Sequence, residues 1–271
     1  MLSLLINKFK KLLTVLLLGA LLLSNTTVSE SIGGVKEYIK YTIGGYEMQT
    51  TLDEEIPSWA IRKAQVVIRV GEYENKPGKR VYLHNIGLHF KDIPTDIKIH
   101  KDNDGAYIHE YDLNKKISKR IYEEMKARGI KVVYQDTYSK SQDLNAAGRI
   151  ANEQNANVYL SIHTNYYNSN SKGFFIMSNQ GNQMARNIAD RLSSSIENNG
   201  MIPRRDALLN NGRIGEMNVI NGSTVALLAE LGFYSNPNEL KYLMSDKYAN
   251  YVANHLADEM VKVLNVYWKK Y

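Results

Sequence analysis

Apolar and polar positions alternate from Val158 to His163, with Val158, Leu160 and Ile162 on one side and Tyr159, Ser161 and His163 on the other. A period of two over a β-rich run predicts a strand that ends at an imidazole. Val225 to Ala229 is apolar throughout, which predicts a strand buried on both faces with Glu230 at its carboxyl end. Repeats of three to four predict helices instead. Leu113, Ile117, Ile121 and Met125 mark one over 110–128, with Gly129 as its stop. Others are predicted over 144–154, through Met184, Ile188, Leu192 and Ile196, and through Tyr248, Val252, Leu256, Met260 and Val263, with His255 beside the last stripe as a structural residue. Asn236-Pro237-Asn238-Glu239 predicts a helix start with an N-cap, a proline at the first position and a capping-box glutamate.

Shorter runs complete the pattern. Val81–Leu83 reads as the first core strand and Ile130–Tyr134 as the next, and strands alternating with helices predict a largely parallel α/β sheet. Ahead of them, Gly33-Gly34 and Gly44-Gly45 bracket an alternating run at 36–43, and Val66–Val70 follows as another strand. Residues 30–79 are therefore expected to form a small β appendage, with the main domain over 80–271.

The first 29 residues differ from the rest. A basic start carrying Lys8, Lys10 and Lys11 leads into the apolar stretch Leu12–Leu23 and then small polar residues. That is the layout of a secretory signal, or of an N-terminal membrane anchor, and it places the remainder outside the cytoplasm. Removing those three lysines takes the formal charge from +6 to +3, too little to argue for nucleic acid but suited to a polyanionic cell wall. With 44% hydrophobic residues, the 271-residue chain can build one substantial core. The absence of cysteine excludes disulfides, thiolate metal ligands and a cysteine nucleophile.

The candidate chemistry lies at strand ends and one helix start. Ligands in open α/β sheets sit at the carboxyl ends of strands, where His163 and Glu230 fall. Glu110 lies three and seven residues before Leu113 and Ile117, so it shares their inward face, and a buried carboxylate needs a partner or a metal. One or two histidines with a carboxylate suit a catalytic zinc that keeps a position open for water, and the remaining carboxylate could take that water's proton. A serine hydrolase is less supported, since no G-x-S-x-G elbow is present.

From Arg80 to Trp268 the chain resembles the zinc-dependent N-acetylmuramoyl-L-alanine amidases of bacterial autolysins, sporulation enzymes and phage lysins. The resemblance rests on S-I-H-T-N at 161–165 and A-E-L-G-F-Y-S-N-P at 229–237. D-G-A at 104–106 with Glu110, Arg149 with Ala151-Asn152, and Gly173 add to it. It implies a twisted sheet of about six strands with helices on both faces, zinc held by His, Glu and His, and a catalytic glutamate. Glu110 and His163 match two of the ligands, and Glu230 matches the catalytic residue. The family's Gly-His pair after the first strand corresponds to H-N-I-G-L-H-F-K-D at 84–92, where His89 follows Gly87 with one residue interposed. His89 is the expected third ligand, with His84 and His100 as alternatives. The implied substrate is peptidoglycan, cut between the muramoyl lactyl group and L-alanine, with contact to the membrane only through the N-terminal segment. An inactive wall-binding relative and a zinc peptidase acting on the stem peptide are the alternatives.

Overall fold

The computed structural model describes residues 64–71, 79–136, 144–178, 182–197, 217, 219–220 and 224–268, together with the strands β1 (Thr27–Ser29), β2 (Tyr38–Ile43) and β3 (Tyr46–Thr51). The segment expected to be a leader or anchor lies outside the described residues up to Thr27. Among the described residues no helix is long and apolar enough to cross a membrane. The appendage is an antiparallel three-stranded sheet, β1–β2–β3, in which Ile43 faces Tyr46 across Gly44-Gly45. Thr27–Ser29, expected to be the end of the leader, are paired in it.

About six strands are expected in the main sheet, and the described residues form five of them. They are β4 (Val66–Val70), β8 (Val132–Gln135), β9 (Val158–Asn165), β10 (Phe175–Ser178) and β11 (Val225–Phe233), in the order β10–β11–β9–β4–β8. All pairs are parallel except that of the edge strand β10 with β11. Val66–Val70 is therefore not part of the appendage. It is buried at every position and hydrogen-bonded on both sides, so it is a central strand of the core. A largely apolar run is what a strand covered on both faces requires, and Arg69 is its one charged position. Val81–Leu83, expected to be the first core strand, contributes instead β5 (Val81–Tyr82) to a separate antiparallel sheet with β6 (Ile99–Asp102) and β7 (Gly105–Ile108).

The small sheet feeds directly into helix α1 (Glu110–Ala127). This helix ends as its sequence predicts. Gly129 is left-handed at φ 78°, Ile130 N–H donates to Met125 O at 3.1 Å, and Gly129 N–H donates to Lys126 O at 3.0 Å. Helices α2 (Leu144–Glu153), α3 (Gln183–Ile196), α4 (Pro237–Met244) and α5 (Asp246–Trp268) follow. Helices α1, α3, α4 and α5 bury their stripes against Val66, Ile68, Leu160, Ile162, Leu227 and Ala229. Helix α2 covers the other face through Ala151, beside Val67, Tyr159, Ala226 and Leu228. The strict alternation of β9 serves both faces at once.

Between β4 and β8 the chain moves outward in one direction, and with β9 it returns to the other side of β4. The carboxyl ends of β4 and β9 therefore flank a crevice where the strand order reverses, the usual ligand position in such sheets. One side of this crevice is tied down from α4. Asn236 caps that helix, accepting from Asn238 N–H at 2.9 Å and Glu239 N–H at 3.3 Å. Glu239 does not complete the expected capping box. Its two oxygens accept from Gly173 N–H and Phe233 N–H, each at 2.7 Å, joining the segment after β9 to the end of β11. Ser235 and Asn236 add bonds to 167–171.

Glu239→Gln replaces one of these acceptors by a donor aimed at a buried N–H. The variant is expected to lose about 1–3 kcal/mol of stability, the range for leaving a buried donor unsatisfied. A shift of the urea midpoint with unchanged slope is the measurement.

Candidate active site

Three elements bring the predicted residues to the crevice. His163 sits near the end of β9, Glu230 lies beside it in register on β11, and Glu110 opens α1. His163 is 8% exposed and Glu110 4%, and His163 Nδ1 is 3.1 Å from Glu110 Oε1. The other ring nitrogen, Nε2, is 3.1 Å from Ser161 Oγ, so Ser161 holds the ring from below on the same strand. Glu230 is half-buried as a residue, but its Oε2 is sealed from solvent and has no hydrogen-bond partner. Burial pushes its carboxyl well above the usual carboxylate range, and the charge of Glu110 pushes the same way. Just past Glu230 the pairing slips, so that Phe233 rather than Gly232 meets Asn165, and Gly232 sits in the slip at φ 131°.

Four further residues shape this site. Gly71 ends β4, its N–H donating to Ile162 O at 2.8 Å, and a Cβ placed there would lie 2.3 Å from the His163 ring. Only glycine admits the imidazole at that distance. Asn114, fully buried, donates to Glu110 Oε1 and to Gly71 O, each at 2.9 Å. Arg69, 2% exposed, faces Ser161 in register and puts a buried cation in the row beneath the histidine. Ser161 is the fourth. The signals were present: a glycine closing an apolar strand, an arginine within that strand, and an asparagine one helical turn after Glu110.

The structure does not bring His89 to the pair. His89 is exposed and precedes a short 3-10 turn over Phe90–Asp92, with its own N–H donating to Asp92 Oδ2 at 2.8 Å. Gly87, taken for part of a ligand turn, is the left-handed cap (φ 66°) of the 3-10 turn Leu83–Ile86. His84 is exposed in that turn, beside Tyr82 and over Gly105. His100 is engaged by Asp112, with Nε2 2.6 Å from Oδ2. His109 accepts from Tyr111 N–H at 3.3 Å as the cap of α1, and burial holds its imidazole below the usual range. His255 is structural as expected, its Nδ1 3.0 Å from Tyr251 O.

The donor chemistry suits zinc at two positions. Atoms sharing a tetrahedral zinc at about 2.1 Å lie roughly 3.4 Å apart, close to the 3.1 Å between His163 Nδ1 and Glu110 Oε1. Among the described residues no group of three His, Cys, Asp or Glu side chains is arranged to hold a metal ion.

The fold is shared with bacterial amidases of known structure. The chain aligns with the N-acetylmuramoyl-L-alanine amidase of Clostridium difficile 630 at 20% identity and a TM-score of 0.56, covering 75% of this chain and 98% of that one. The catalytic domain of CwlV, an amidase of Bacillus (Paenibacillus) polymyxa var. colistinus, aligns at 22% identity and 0.53, covering 75% and 99%. The amidase Ami1 of Mycobacterium smegmatis aligns at 14% and 0.56, covering 75% and 98%. No curated protein matches the sequence. The model of the N-acetylmuramoyl-L-alanine amidase family matches residues 98–262, and the chain belongs to that family.

Gly71→Ala forces the His163 ring away from Glu110 or from Ser161. Its unfolding free energy is expected to fall by about 1–3 kcal/mol, the usual cost of overpacking. A crystal structure of the variant should show the ring displaced, with the β4–β9 pairing intact.

Proposed function

We propose that the protein is a zinc-dependent N-acetylmuramoyl-L-alanine amidase that works on peptidoglycan outside the cytoplasm. The observation that carries this reading is the buried contact between His163 and Glu110, with Glu230, whose Oε2 is sealed and unpartnered, on the adjoining strand. His163 and Glu110 would hold the metal. Zinc bound there would polarise the scissile carbonyl and acidify water. Glu230 takes the proton of the attacking water, whose oxygen bonds to the lactyl carbonyl carbon. The C–N bond to L-alanine then breaks, and Glu230 returns the proton to the leaving nitrogen. Burial raises the proton affinity of this carboxyl, and a carboxyl can both accept a proton and give it back. The products are a muramoyl lactyl carboxylate and a peptide with a free L-alanine amino terminus. The basic, apolar start of the chain supports export as a secreted or anchored enzyme.

The exposed placement of His84 and His89 in turns of their own favours one other reading, a wall-binding relative without activity. Metal content and turnover separate the two. Elemental analysis of the full chain should give one zinc per molecule, lost in His163→Ala and retained in His89→Ala; full zinc in His163→Ala removes that residue from the site. Digested peptidoglycan should gain L-alanine amino termini and no reducing sugar ends. Other amino termini would make the enzyme a peptidase, and no new termini would make it a binding protein.

Glu230→Gln keeps the shape of the side chain but cannot accept a proton. It should retain zinc and fold while turnover drops on the order of 10²–10⁴-fold, the usual effect of losing a general base. Near-normal turnover would make Glu230 structural.

A further inference from the structure

We propose that Asn114 is the positioning residue of this site, holding Glu110 and the end of β4 in the arrangement His163 requires. Asn114 lies one helical turn beyond Glu110 on α1 and is 0% exposed, so it meets no substrate. Its Nδ2 donates to Glu110 Oε1 and to Gly71 O, both at 2.9 Å. Both acceptors lack hydrogens, which fixes the amide with its nitrogen toward them. Its Oδ1 is buried with no hydrogen-bond partner. An orphaned buried acceptor costs stability, so the amide is an expensive way merely to join a helix to a sheet.

The two acceptors are the two surfaces that meet His163. Glu110 Oε1 is 3.1 Å from His163 Nδ1, and Gly71 lies so close to the ring that a Cβ there would sit 2.3 Å from it. Asn114 therefore acts on His163 through both neighbours, fixing which Glu110 oxygen faces the ring and how far β4 stands from α1. Losing either bond loosens one side of the imidazole. Losing both frees Glu110 to rotate about its own side chain.

This inference rests on the zinc reading above for its functional meaning, and its test separates the two. Asn114→Asp keeps the shape and sets a third acceptor against the other two. Asn114→Leu keeps the bulk and removes the donors. Asn114→Ser keeps one donor and serves if the others fail to fold. Each full-length variant is measured for zinc affinity by chelator competition, for kcat and KM on a soluble muropeptide, and by crystallography without metal. Zinc affinity should fall about 10–100-fold, the range for losing a partner behind a metal ligand. The fall in kcat should come with a KM within about twofold of wild type. In the metal-free crystals the Glu110–His163 contact should part. Variants that lose only thermal stability, with zinc affinity, kcat and that contact as in wild type, would overturn the proposal. A wild-type protein that takes up no zinc refutes the zinc reading, and the Glu110–His163 separation in the metal-free crystals then decides the role of Asn114.

Discussion

The contact between His163 and Glu110 joins two parts of the fold that the chain builds separately. His163 comes from a strand inside the five-stranded sheet, and Glu110 from a helix that starts where the small β5–β7–β6 sheet ends. Neither side chain would stay buried alone, because an imidazole and a carboxylate each need a polar partner away from water. Their meeting constrains what surrounds them. The neighbouring strand must end in a residue without a side chain, and α1 must start at the level of that strand's end. Gly71 and the His109 cap of α1 meet those demands.

Around the pair the polar groups are graded rather than scattered. Arg69 and Ser161 lie beneath the histidine, Glu110 beside it, and Glu230 on the next strand. Burial is the main reason that Glu230 holds its proton more tightly than usual, and the charge of Glu110 adds to it. The buried guanidinium of Arg69 belongs to the same face of the sheet, so the site is not simply a pool of negative charge.

Much of this was legible in the sequence because it is written locally. The alternation at 158–163, the apolar run at 225–229 and the stripe on α1 each report the faces that their side chains cover. The inward placement of Glu110 follows from the same spacing. What failed was the assignment of neighbours across the chain. Val66–Val70 and Val81–Leu83 are equally strand-like, and nothing local says which one enters the central sheet. The burial of Val66–Val70 at all five positions comes from β8, β9 and helices distant in the chain. Val66–Val70 rather than Val81–Leu83 enters the main sheet, so residues 84–92 follow a strand of the small sheet instead. There Gly87 and His89 serve turn geometry, which uses the same residue types for another reason.

The bonds from α4 to the segment after β9 bear on recognition. Gly173 is held by Glu239, Ser171 by Asn236 and Tyr167 by Ser235, and the Tyr167 side chain remains 73% exposed at this rim. A segment free until a ligand arrived would lose its conformational freedom on binding and weaken the complex accordingly. Here that entropy is lost once, when the chain folds. A ligand meeting this side of the crevice encounters a surface already shaped, so its affinity depends on the contacts it makes and little on ordering the protein.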